Sequence, residues 1–110
     1  MEVKTSKEFL EKELLERFKP DKAQGIDAVI QINVKTQEKE ENWVVTVKDQ
    51  KINSHQGIDE SPTLTIYVAE SDFVDIVNGK LSAEKAFFAG KVFFQGNLAL
   101  ALKMRDAGLL

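Results

Sequence analysis

Two consecutive segments written with a period of two restrict the fold of this chain more than anything else in it. Ile26, Ala28, Ile30, Ile32 and Val34 alternate with Asp27, Val29, Gln31, Asn33 and Lys35. After the polar stretch "KTQEKEEN", the segment "WVVTVK" sets Trp43, Val45 and Val47 against Val44, Thr46 and Lys48. Successive side chains of a strand point to opposite faces, so each segment offers one apolar face that must be covered. The charged stretch between them predicts a turn, and the pair an antiparallel hairpin. "KDQKIN" predicts a second tight turn into a short third strand around Ile52, followed by a polar loop, "SHQGIDESP", that carries His55. "TLTIYV" predicts a fourth strand, with Leu64, Ile66 and Val68 against Thr65 and Tyr67. Pro62 sits at its start, where no ladder donor is lost.

The covering elements are written in a different rhythm. Thr5 and Glu8 have the spacing of a capping box, and Phe9, Leu10, Leu14, Leu15 and Phe18 follow at helical intervals up to Pro20, where the helix must end. In the second half, Ser71 is placed to cap a helix carrying Phe73, Val74, Ile76 and Val77, which Gly79 ends. Ser82 caps a short helix, "AEKAFFA", which Gly90 ends. "KVFFQ" predicts a fifth strand between Gly90 and Gly96, and Asn97 starts a last helix. The order is α-β-β-β-β-α-α-β-α. Strands in a run with helices at the ends predict an α+β fold, a mostly antiparallel five-stranded sheet covered by helices.

At 110 residues, with no repeat or linker, the chain predicts one domain, 1–110. A net charge of -3 and a pI near 5.2 argue against nucleic acid as a partner, which needs clustered Lys and Arg. Lys85, Phe87, Phe88 and Lys91 interleave charge and aromatic rings, but no basic stripe extends from them. The absence of cysteine removes disulfides, zinc–thiolate sites and thiol catalysis, and suits a reducing compartment. The first residues are too charged for a signal peptide, no run approaches the roughly 20 apolar residues of a membrane span, and Gly108-Leu109-Leu110 is not a peroxisomal address. The expected location is the cytoplasm. His55 is the only histidine; Asp59, Glu60 and Ser61 lie near it in sequence, without the pattern of an acid, base and nucleophile. The glycines do not form a phosphate loop. The expectation is therefore a protein that is not an enzyme and carries neither metal nor cofactor.

The stretch "GKLSAEKAFFAGKVFFQGN", Gly79 to Asn97, carries more specific information. Gly79, Lys80, Leu81, Ala86, Phe87, Gly90, Lys91, Gly96 and Asn97 match the signature of sterol-carrier-protein type 2 domains, which reads approximately G-K-L-x-P-x-x-A-F-x-x-G-K-L-x-I-x-G-N/D. Trp43 with its alternating valines, and "SPTLTI" before "ESDFVDIVNGK", also resemble that family, so the resemblance runs from the first helix to the last. Ala83 departs from the family's frequent proline, and Phe93 stands where a polar residue is usual.

The resemblance implies a carrier rather than a catalyst, with an apolar tunnel between sheet and helices for a fatty acid, acyl-CoA, phospholipid or sterol. On that reading the lining is drawn from Ile32, Trp43, Val45 and Ile66 in the first four strands, Phe73, Ile76, Val77, Phe87 and Phe88 in the middle helices, and Val92, Phe94, Leu98 and Leu102 beyond them. Phe87 and Phe88, about 100° apart on a helix, are spaced so that both can face inward at the sheet edge. Leu98 and Leu102 share one face of the last helix and Leu100 the opposite one, so this helix can touch the sheet and a ligand or partner together. Lys91, Lys103 and Arg105 are candidates to meet an anionic head group. Partners on this reading are a long-chain lipid, a membrane touched transiently, and a second copy bound through the sheet face of Phe93. The rival reading is an accessory domain that associates with a partner through that face and transfers nothing.

Overall fold

In the computed structural model, which describes residues 2–107, the chain begins with a helix over residues 6–17 (α1). The Thr5 hydroxyl accepts a hydrogen bond from the Glu8 N–H at 3.0 Å, as the capping spacing predicts. The middle of α1, Phe9–Glu13, is wound as a π-helix. Phe9, Leu10 and Leu14 are buried, whereas Leu15, one position round the helix, is half exposed. Arg17 holds the helix to its neighbour: Nε pairs with Glu13 at 2.9 Å, and one terminal nitrogen donates to the Val77 carbonyl at 2.5 Å. The helix stops at Arg17, and Pro20 opens a separate short turn, Pro20–Lys22.

The strands are β1 (Ala28–Lys35), β2 (Glu40–Lys48), β3 (Lys51–Gln56), β4 (Leu64–Ala69) and β5 (Val92–Gly96). They form one sheet in the order β3-β2-β1-β4-β5. The two expected hairpins are present: Ile30 faces Val45, and Val45 faces Ser54. Asp49 and Gln50, both at positive φ, make the turn between β2 and β3. β4 and β5 are also antiparallel. The central pair, β1 with β4, is parallel, so the sheet is mixed. The cause is the segment after β3, which crosses the sheet and delivers β4 to the free side of β1. His55 lies on edge strand β3 rather than in the loop expected for it.

Gln31 fixes that crossing. It is only 3% exposed although it points to the outer face, opposite its apolar neighbours Ile30 and Ile32. Its side-chain amide donates to the Gly57 carbonyl at 3.0 Å, and its carbonyl accepts from the Asp59 N–H at 2.8 Å. A buried amide is tolerable only when bonded in this way. Val44 is buried on the same outer face.

Three further helices follow: α2 (Glu70–Val77), α3 (Ala83–Phe88) and α4 (Leu98–Asp106). α2 begins directly where β4 ends, so Ser71 falls inside its first turn and makes no cap. Glu70 is occupied instead by Ser6, accepting from its N–H at 3.1 Å and its hydroxyl at 2.7 Å. Ser82 and Asn97 cap α3 and α4 through the N–H groups of Lys85 and Leu100, as expected. Gly96 is obligatory at its position: φ is +109°, and a Cβ there would sit 2.6 Å from the Thr63 carbonyl oxygen.

Phe9, Leu10 and Leu14 of α1, Phe73 and Val77 of α2, and Leu100 and Met104 of α4 pack on the inner residues of the sheet as one core. Phe9 and Phe73 meet edge to face at 5.6 Å. No helix among the described residues is long and apolar enough to cross a membrane.

Candidate functional site

The last helix divides its apolar residues between two neighbouring stripes. At 100° per residue, Leu98, Leu102 and Arg105 fall together, Leu100 and Met104 fall on the other side, and Ala101 lies at the border. Burial follows this geometry: Leu100 is 7% exposed and Leu102 55%. The core stripe closes the interior. The other stripe, with α3 and β5, walls an open groove of about 450 Å³.

One wall of the groove carries Phe87 and Phe88 from α3, its floor has Phe94 from β5, and the opposite wall has Leu98, Ala101 and Leu102 from α4. The Phe87 ring lies 5.6 Å from Phe88 and 5.6 Å from Phe94. Among the described residues, the only charged side chains lining the groove are Glu84 and Arg105, one on each helix, joined at 2.5 Å. A concave, largely apolar surface with few polar groups is what a small apolar ligand requires, and the volume lies within the usual range of about 300–1,000 Å³. A wider depression of about 910 Å³ beside α1 and α2 is lined by both signs of charge, including Lys4, Lys7, Lys35, Glu41, Glu70 and Asp75. Its apolar surface is interleaved with those charges, whereas that of the α3–α4 groove is almost unbroken, so an alkyl chain seated in the depression would lie against charged groups.

The expected lining residues fall into three groups. Phe87, Phe88, Phe94, Leu98 and Leu102 come together at the groove. Ile32, Val45 and Ile66 surround, with Leu10, Leu14, Ile30 and Met104, a void of only about 10 Å³ between sheet and helices. That is room for about one water molecule, not for an alkyl chain. Trp43, Phe73, Val77 and Val92 are buried in the core and Ile76 packs against it, so none of these lines the groove. The Trp43 indole N–H has no hydrogen-bond partner among the described residues.

Phe87 and Phe88 face the groove rather than the core. Phe87 is partly exposed and Phe88 is 85% exposed, because the small Ala86 takes the core-facing position of α3. Of the head-group candidates, Arg105 lines the groove and Lys91 and Lys103 do not. Sequence reasoning missed Glu84 and Ala83 as groove residues; their position one turn before Phe87 and Phe88 carried that information. Phe93 points outward as expected, 60% exposed, with its ring 5.9 Å from that of Tyr67. Among the described residues, no group of three or more His, Asp or Glu side chains is arranged to hold a metal ion.

A mixed five-stranded sheet with its helices packed on one face and an apolar groove beside the last of them defines a small α+β domain of the sterol-carrier type. Residues 10–107 match the SCP-2 sterol transfer family, and the chain belongs to that family. It is similar to Sterol carrier protein 2 of Homo sapiens, 39% identical over 71 residues, which are 64% of this chain and 13% of that protein. It is also similar to Peroxisomal multifunctional enzyme A of Dictyostelium discoideum, 36% identical over 80 residues, 72% of this chain and 18% of that protein. The chain thus spans less than a fifth of either relative. Among solved structures, palmitated SCP2L2 from Aedes aegypti matches with a TM-score of 0.73 and 28% identity over 96% of this chain and 93% of that one.

Proposed function

We propose that this chain is a lipid-binding and lipid-transfer domain, not an enzyme, and that it holds a fatty acid, acyl-CoA, phospholipid or sterol against the α3–α4 groove. The observation that carries this reading is the clustering of Phe87, Phe88, Leu98 and Leu102, large exposed hydrophobic residues, around one concave surface. Exposed apolar residues are ordinary when scattered; gathered in a groove they mark a binding surface. Family membership and the palmitated Aedes aegypti neighbour support the same ligand class.

The energetics suit a tolerant carrier. Burying a methylene contributes about 0.8 kcal/mol, so a dozen contribute roughly 10 kcal/mol before the cost of immobilisation. That cost is several kcal/mol, which leaves affinity near the micromolar range without any specific polar contact. An enclosed tunnel between sheet and helices would form only if α4 shifted, since this helix supplies Leu98, Ala101 and Leu102 to the groove and Met104 to the small void. Phe88 is our candidate for transient contact with a membrane, and the lack of cysteine is what supports a cytoplasmic setting.

Titration of the delipidated protein with a fluorescent long-chain fatty acid tests the reading. Saturable binding is expected, with displacement by unlabelled lipids. Absence of saturable binding, together with no co-purified lipid in native mass spectrometry, would sink it.

The Phe93–Tyr67 pair on the outer face favours a second reading, association through the sheet, as a homodimer or with another partner. Phe93→Lys separates the two: a dimer that reverts to monomer with lipid affinity unchanged supports association through that face.

A further inference from the structure

Glu84 and Arg105 are the charged side chains of an otherwise apolar groove and bridge its two walls. The contact is lopsided. One terminal nitrogen of Arg105 meets Glu84 Oε1 at 2.5 Å, while Nε lies 3.6 Å from Asp106. A guanidinium is a planar fork that matches a carboxylate through two parallel hydrogen bonds, and the Glu84 contact engages only one nitrogen. Both side chains are substantially exposed, so the pair is weakly held and can exchange. Arg105 shares the helical stripe of Leu98 and Leu102, which would carry the alkyl tail.

We propose that Arg105 is the head-group site of the groove and that Glu84 is its exchangeable guard, so that a fatty-acid carboxylate displaces Glu84 and takes the guanidinium fork. This rests on the lipid-groove reading above and adds a ligand class to it: single-chain lipids ending in a carboxylate are preferred over neutral lipids of the same length. Glu84 works against the incoming carboxylate twice, by occupying Arg105 and by like-charge repulsion. Its loss therefore strengthens acid binding.

The experiment compares a fluorescent fatty acid with the fatty alcohol of the same chain and fluorophore, on wild type, Glu84→Gln and Arg105→Gln. Wild type is expected to favour the acid. Glu84→Gln should raise the acid-to-alcohol affinity ratio about two- to fivefold, the scale of an exposed ion pair. Arg105→Gln should abolish the preference, bringing that ratio close to one. A merely structural pin between the helices would move both probes together. An acid-to-alcohol ratio untouched by Arg105→Gln, with both probes binding, overturns the head-group site while the groove reading stands. If neither probe binds wild type, the groove reading fails and this inference with it.

Discussion

Two apolar regions meet along α4, and they differ in what lies against them. On the core side, Leu100 and Met104 belong to the buried core, and Met104 meets sheet and α1 at a void of only about 10 Å³. On the groove side, Leu98 and Leu102 face about 450 Å³ of open space with Phe87, Phe88 and Phe94 across it. The residue types are the same, and so is the helix. In the core, burial is complete within the chain and contributes to folding. In the groove, the same transfer from water remains available to a ligand. Substitutions should therefore split cleanly: core changes cost stability, and groove changes cost affinity.

The largest expected effect is on the core side. Leu14→Ala, beside the small void, should destabilise by about 2–5 kcal/mol, read as a lower urea midpoint. A loss below about 1 kcal/mol would mean that this side is loosely packed too, and the contrast would collapse. Gly96→Ala should cost about 1–3 kcal/mol, because φ is +109° and the added Cβ meets the Thr63 carbonyl. Since Gly96 joins β5 to α4, this variant also reports how firmly the two regions are held together.

The groove side should behave in the opposite way. Leu102→Asp is expected to change stability by no more than about 0.5 kcal/mol and to weaken fatty-acid binding at least about tenfold. A large loss of stability there would show that Leu102 is core after all. The smallest effect is expected from Phe93→Lys, on the outer face: no change in lipid affinity and stability within about 0.5 kcal/mol, measured by the same titration and melt.

Much of this architecture was legible in the chain because local rules and burial agreed. Ile30, Ile32, Val45 and Ile66 lie inward as their alternation predicts, and Thr5, Ser82 and Asn97 cap the helices they precede. Ser71 misled because a cap residue was expected where the strand runs straight into the helix. The parallel pairing of β1 with β4 was hidden, since strand order depends on where the crossing segment leads. The anchoring of that segment by Gln31 is a contact between residues distant in sequence. Leu98 and Leu102 were correctly separated from Leu100, but that Phe87 and Phe88 lie outside the core was not legible from their spacing.

By itself the sequence determined the elements, their order, the inner face of the sheet and the family, because periodicity, caps and the glycine-punctuated stretch from Gly79 to Asn97 are local properties. Only the tertiary structure decided which apolar residues fill the core and which line the groove. A phenylalanine's environment is set by what packs against it, and on α3 the small Ala86, not Phe87 or Phe88, meets the core.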